Sequence, residues 1–213
     1  LPLLDGGSLV DLSEALASCR QPDTLRADLE AQIASNAHAA RALQALGPAR
    51  LIRTWMGHLH DVADACTADV IRSLRPGSAE DAIDGVPVKM TLRTSNDTLV
   101  VDLEGTGGPH QGNLNAPEAV VRAAVLYGIR VLVARDIPLN EGTLRRVRIQ
   151  IPRPSILSPP QNSAVAGGNV ETSQRLVDLF LRAAEAYASS QGTMNNLTLG
   201  RQVGDEAWSI YET

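Results

Sequence analysis

The chain has 213 residues, of which 44% are apolar and 20% charged, enough to bury a substantial core as one large domain or two small ones. No apolar run approaches the roughly 18 residues of a membrane span. With a net charge of -5 and 3% aromatics, the chain lacks both the basic footprint and the stacking rings of nucleic-acid binders, so neither membrane nor nucleic acid is expected as a partner. Two cysteines, Cys19 and Cys66, are too few and too far apart for a disulfide framework or a zinc motif, which points to a reducing, cytoplasmic setting. Residues 1–10 have no positive start and carry Asp5, Gly6 and Gly7, so they do not read as a signal peptide. The missing initiator methionine leads us to expect an internal fragment or a processed product.

Asp23 to Leu46 places Leu25, Leu29, Ile33, Ala37, Ala40, Leu43 and Leu46 at steps of three and four, the pattern of one buried helical face. Gly47-Pro48 ends that helix and starts the next, and Ala49 to Leu74 repeats the pattern with Leu51, Ile52, Trp55, Leu59, Val62, Ala63, Cys66, Val70 and Leu74. So short a connection predicts an antiparallel helical pair. Pro76-Gly77-Ser78 then marks a turn and a change of pattern. Val86–Thr94 and Thr98–Leu103 read as two paired strands. A glycine-rich loop from Gly105 to Asn115 leads to Pro117 and to a helix, Glu118–Ala134, that is apolar nearly all round and expected to be deeply buried. Leu144–Ile151 reads as a strand, and Pro152–Pro160 as irregular. Asn169–Ala188 is the clearest amphipathic helix, its core face drawn from Leu176, Val177, Phe180, Ala183, Ala184 and Tyr187. Met194–Gly200 and Glu206–Tyr211 look like two more short strands. The predicted class is α+β: a helical hairpin unit, residues 1–78, then a mixed α/β domain, residues 79–213, with a mainly antiparallel sheet.

Four stretches stand in the order and spacing of one family: Gly112-Asn113-Leu114-Asn115-Ala116-Pro117, Asp136-Ile137-Pro138-Leu139-Asn140-Glu141-Gly142, Ala166-Gly167-Gly168-Asn169-Val170-Glu171-Thr172-Ser173-Gln174-Arg175 and Ser190-Gln191-Gly192-Thr193-Met194-Asn195-Asn196. Together with Arg26-Ala27-Asp28-Leu29-Glu30-Ala31-Gln32-Ile33-Ala34, they make the chain resemble the hydantoinase B/oxoprolinase family over nearly its whole length. Members hydrolyse cyclic amides such as hydantoins or oxoproline at the expense of ATP, or carboxylate ketones in related complexes. The resemblance implies an oligomeric complex with a hydantoinase A-like ATP-using subunit and with the remaining segments of the hydantoinase B subunit. It also implies that ATP and a divalent metal are bound on those other segments, with no cofactor held by this chain.

Taken without the family, the same residues admit a functional and a plainer role. The Gly167-Gly168-Asn169 turn offers backbone N–H groups and the positive end of a helix to an anion, or Asn169 is simply an N-cap. No lysine follows the glycines, so this is not a P-loop. Glu171 and Arg175 share a helix face that suits a substrate carboxylate or a proton, or they brace the helix at roughly 0.2–0.5 kcal/mol; Asp178 and Arg182 repeat the spacing and favour the brace. Asn113, Asn140, Asn195 and Asn196 carry carboxamides that donate and accept as a lactam requires, or serve turns. His58 and His60 point to different sides of a helix and do not pinch a metal. Asp102 sits on the polar side of a strand. The candidate substrate-binding set is therefore Asn113, Asn140, Gly168, Asn169, Glu171, Arg175, Asn195 and Asn196, with no catalytic residue identified. Gly168, Asn169, Glu171, Asn195 and Asn196 are expected to converge in one pocket. Two functions stay open: a section of an ATP-dependent cyclic-amide hydrolase or ketone carboxylase, inactive in isolation, or a non-catalytic scaffold.

Overall fold

The computed structural model describes the chain except residues 1, 2, 6, 7, 18, 20, 139, 194–196, 204, 205 and 213, and gives backbone alone at 8, 198, 202, 203, 206, 207, 209, 211 and 212. It divides into two compact units, Leu1–Gly57 and His58–Thr213. The change of pattern at Pro76-Gly77 lies inside the second.

In the first unit a short ladder pairs β1 (Leu4–Asp5) with β2 (Ser8–Leu9), and α1 (Ser13–Leu16) follows. Asp11 accepts the hydroxyl of Ser13 at 2.5 Å and its N–H at 2.9 Å, bonds that hold the Asp11 carboxyl below the usual range. Helix α2 (Pro22–Leu46) opens on a proline, whose missing N–H has no partner to lose in a first turn. It stops at Gly47, whose φ of 145° a side chain would resist. The carbonyl of Pro48 then accepts the first N–H groups of α3 (Ala49–Ser73), those of Leu51 and Ile52. The buried stripe expected on α2 is absent. None of its residues is buried, and Leu25, Leu43 and Leu46 keep 38%, 45% and 65% of their surface. Two of the seven positions of that stripe, Ala37 and Ala40, are alanines, which favour the helix without supplying much area to bury.

The second unit contains the last part of α3, where Ala63, Thr67, Ala68, Val70 and Ile71 are buried. Its sheet runs in the order β3-β4-β5-β6: β3 (Ser78–Ile83), β4 (Val86–Ser95), β5 (Thr98–Asp102) and β6 (Val147–Gln150). The first three are antiparallel neighbours, and β6 pairs parallel with β5 after a crossover through α4 (Glu118–Val133). Both hairpin turns use left-handed residues, Asp84-Gly85 at φ 49° and 81° and Asn96-Asp97 at 47° and 60°, as two-residue hairpins demand. Alternation buries Val88, Met90 and Leu92 of β4 and Leu99 and Val101 of β5. They pack in one core with Val121, Val125 and Ile129 of α4 and Leu176, Leu179 and Phe180 of α5 (Thr172–Ala183). At Gly128 the two helices come so close that a Cβ would lie 2.4 Å from the Phe180 ring. Helix α4 is not buried all round: Arg122 and Ala123 are exposed, and Tyr127 keeps 60% of its surface. A separate two-stranded sheet pairs β7 (Leu197–Val203) with β8 (Glu206–Glu212). The class is α+β, helices followed by a mixed, mainly antiparallel sheet.

Strand β3 and helix α5 also depart from expectation. Strand β3 was not expected, because Glu80 and Asp81 interrupt its apolar alternation. Helix α5 is shorter than Asn169–Ala188 at both ends. It ends at Ala183, where Glu185 turns left-handed at φ 52°, and Tyr187 is 57% exposed rather than in the core.

Candidate functional site

The glycine-rich loop after β5 is organised by a single side chain. Asn115 is fully buried; its carbonyl accepts the N–H of His110 at 2.8 Å. Its amide donates to the carbonyls of His110, Gly112 and Ala164 at 2.9, 3.2 and 3.0 Å. The carboxamide thus stands in for a backbone pairing that a short loop cannot make for itself. The bond to Ala164 brings the loop against the segment leading to α5. There Gly167 donates to the carbonyl of Asn113 at 2.8 Å, and the Thr172 hydroxyl donates to that of Leu114 at 2.6 Å. A Cβ on Gly168 would lie 2.2 Å from the carbonyl oxygen of Asn115. Stretches 112–117 and 166–172 therefore meet backbone to backbone.

This contact revises the expected roles of both glycines and of Asn169. The Gly167 and Gly168 N–H groups are already taken, by Asn113 and Val165, and that of Glu171 is taken by Gly167. These donors are not offered to an anion. Helix α5 starts at Thr172, and Asn169 gives it no side-chain cap; instead its carbonyl accepts the Ser173 hydroxyl at 2.6 Å. The exposed Asn169 side chain lines a groove of about 400 Å³ between α4 and α5. Its other walls are Tyr127, Ser173 and Gln174, with a floor of Val120, Ala123, Ala124 and Val177.

Glu171 and Arg175 form no brace with each other among the described residues. Glu171 accepts the Thr193 hydroxyl at 2.7 Å. Arg175 reaches Asp81 at 3.5 Å, and a Cβ on Gly192 would lie 2.8 Å from its guanidinium. The expected Asp178–Arg182 brace is likewise replaced. Asp178, 4% exposed, accepts the N–H and hydroxyl of Ser190 at 2.9 and 3.0 Å, while Arg182 donates to the carbonyl of Glu80 at 3.2 Å. One side of α5 thereby straps down residues 190–193. Asn140 lies elsewhere: its carbonyl caps Gly142 at 2.8 Å, its amide donates to Leu59 at 3.3 Å, and it fastens that turn to α3. The structure therefore brings Asn113, Gly168 and Asn169 together, sets Glu171 and Arg175 against residues 190–193, and leaves Asn140 apart. Asn195 and Asn196 lie outside the described residues.

Two polar groups were missed or underrated. His110 accepts the Gly112 N–H through Nδ1 at 2.9 Å, which leaves its Nε2 hydrogen to donate to Asp84 at 3.0 Å, so the loop is tied to the β3–β4 turn. No sequence pattern links two residues that far apart. Asp102 accepts the Glu104 N–H at 3.0 Å and Arg93 at 2.6 Å. These contacts hold its carboxyl below the usual range, which suits an anchor and disqualifies it as a proton donor near neutrality. Among the described residues, no three of His, Cys, Asp and Glu converge as a metal-binding group, and no helix is long and apolar enough to cross a membrane.

Comparison with known proteins adds to this geometry. The model of the family Hydantoinase B/oxoprolinase matches residues 6–213. 5-oxoprolinase 1 of Arabidopsis thaliana is 38% identical over 208 residues, covering 87% of this chain and 16% of that protein. Among solved structures, the ATP-dependent caprolactamase from Pseudomonas jessenii superimposes with a TM-score of 0.66 at 17% identity, over 99% of this chain and 40% of its own. Nucleotide-free acetone carboxylase gives 0.55 at 13% identity, over 70% and 24%. At those identities the two structures share the fold alone. The chain spans 14% to 16% of the length of the 5-oxoprolinases it matches. The chain belongs to the hydantoinase B/oxoprolinase family.

Proposed function

We propose that this chain is a section of a hydantoinase B-type subunit, and that it contributes to the ATP-dependent hydrolysis of a cyclic amide beside a hydantoinase A-like, ATP-using partner. The observation that carries the reading is the family match over residues 6–213. In this reading, as the family resemblance implies, ATP and a divalent metal are held by other segments of the assembly; the Gly167 and Gly168 N–H groups are spent within the chain. What this chain supplies is a rigid junction of two family motifs beside an uncharged groove. The free cysteines Cys19 and Cys66 agree with a reducing, cytoplasmic setting. The test is reconstitution: the chain, the remaining hydantoinase B segments and the ATP-using partner are mixed with MgATP, and ring opening is followed by mass spectrometry. Ring opening that requires this chain supports the reading. Carboxylation of a ketone by the same mixture, without ring opening, would replace it with the carboxylase activity of the related complexes.

A further inference from the structure

Between Ala31 and Gly57 the chain carries Arg41, Arg50, Arg53 and His38 and no acidic residue, although the whole chain has 24 acidic residues against 19 basic ones. The three arginines are exposed, and among the described residues their side chains make no hydrogen bond or ion pair. Arg72, Arg93, Arg122, Arg145 and Arg146, by contrast, all reach carboxylates. The same stretch holds the end of α2 and the first turns of α3, and its apolar side chains are bare. Residues 34–46 are all exposed, and so are Leu51, Trp55 and Met56, with Trp55 keeping 47% of its surface. Leu43 and Leu46, three apart, share one face of α2, and Leu51 and Trp55, four apart, share one of α3. The junction joins the two sets closely. The carbonyl of Pro48 accepts the Leu51 N–H at 2.9 Å, and a Cβ on Gly47 would lie 3.8 Å from the Leu51 side chain. A helix in a protein is stabilised mainly by what its apolar face packs against, which this segment lacks among the described residues.

Charge separates the occupants that such a face could take. A second copy related by a two-fold would set the same arginines against each other, and no carboxylate between Ala31 and Gly57 would offset the repulsion. An anionic bilayer is held by clusters of about four to eight basic residues, and Arg41, Arg50 and Arg53 fall short of that. A protein surface that brings its own carboxylates beside an apolar ridge answers both observations. The ridge covers Leu46, Leu51, Trp55 and Met56, and the carboxylates meet guanidiniums whose forked donors are unused. An amphipathic helix supplies ridge and carboxylates on one element.

We propose that the α2–α3 junction, with Leu46, Leu51, Trp55 and Met56 and the unpaired Arg50 and Arg53, is a docking surface for an acidic amphipathic helix of a partner protein. The proposal rests on the unit Leu1–Gly57 and does not depend on the cyclic-amide reading. The probe is a labelled amphipathic peptide of about 20 residues, roughly 30 Å of helix, with leucines on one face and glutamates on the other. It is titrated with the full chain and followed by fluorescence anisotropy, beside a copy that has lysines in place of the glutamates. Saturable binding of the acidic peptide is expected, with a dissociation constant on the order of 10 μM, and binding at least about tenfold weaker for the lysine peptide. Raising the salt from about 0.1 to 1 M shortens the Debye length from about 10 to 3 Å and should weaken the acidic complex severalfold. Trp55→Ala should weaken it about tenfold. Arg50→Glu combined with Arg53→Glu should do the same, and serves if the tryptophan variant loses its helical circular dichroism. Arg148→Glu, at an exposed arginine of β6, should leave binding unchanged. Equal binding of the lysine peptide, or full binding by the tryptophan and arginine variants, would overturn the proposal. So would a dimer of the chain in sedimentation that Trp55→Ala dissociates, which gives the face to a second copy. Binding of phosphatidylserine vesicles in place of the acidic peptide would overturn it too, and give the face to a membrane.

Discussion

Gly168→Ala tests the junction on which the site is built. An added Cβ would lie 2.2 Å from the Asn115 carbonyl oxygen and 3.0 Å from the Ala116 Cα, where ordinary contact needs about 3.4–4 Å between such atoms. Both neighbours are backbone, and Asn115 is fixed by its own buried side chain, so no rotamer change relieves the clash. Gly168 is not in the left-handed region, so the penalty is one of space and not of torsion. Overpacking of this kind costs about 3 kcal/mol, and in a domain of this size each kcal/mol lowers Tm by about 2–4 °C, giving a drop of roughly 6–12 °C. Gly108→Ala is the matched control, because a Cβ there meets nothing within 4 Å. Thermal melts and urea titrations of the two variants beside the parent chain give the comparison. A Gly168→Ala protein as stable as Gly108→Ala would refute the close backbone approach.

Asn115→Ala should cost about 3 kcal/mol in urea titrations, since it strands buried backbone partners of one carboxamide, and should raise hydrogen exchange in residues 110–116; unchanged exchange there would contradict its bracing role. Asp178→Ala should release the strap, costing about 1–3 kcal/mol and speeding exchange at Ser190 and Gly192 while the centre of α5 stays protected. Because the folded carboxyl of Asp102 is held below its ordinary value, its stabilising contribution is complete above the unfolded value of about 3.9 and is lost as pH falls through the lower folded value. Asp102→Asn should therefore flatten the acid limb of the stability profile below about pH 4, and an unaltered limb would show that the contact contributes nothing.

The elements with strong periodicity were legible in the sequence. Glu118–Val133 and the β4–β5 pair follow from helical spacing and alternation alone; the two C-terminal strands were expected, the first at 194–200 where the structure has Leu197–Val203, but not their pairing with each other. The parts that were not legible depend on contacts between distant residues. Helix α5 begins at Thr172 because that hydroxyl bonds Leu114, 58 positions away, and nothing near Asn169 announces it. The i,i+4 pairs Glu171/Arg175 and Asp178/Arg182 look like surface braces until Thr193, Asp81, Ser190 and Glu80 supply better partners. Strand β3 had a usable signal, the Asp84-Gly85 turn ahead of an alternating run. Asn115 stands inside the 112–117 family motif, but its burial depends on contacts made only in the fold.

The central claim is that this chain takes part in ATP-dependent ring opening, and the most direct measurement is turnover in the reconstituted mixture with and without it. Neutral lactam or hydantoin and 5-oxoproline are supplied with MgATP, and ring opening and phosphate release are followed together. Both products are expected only when this chain, the remaining hydantoinase B segments and the ATP-using partner are all present. Equal turnover when this chain is omitted, or ring opening by this chain alone without ATP, would contradict it.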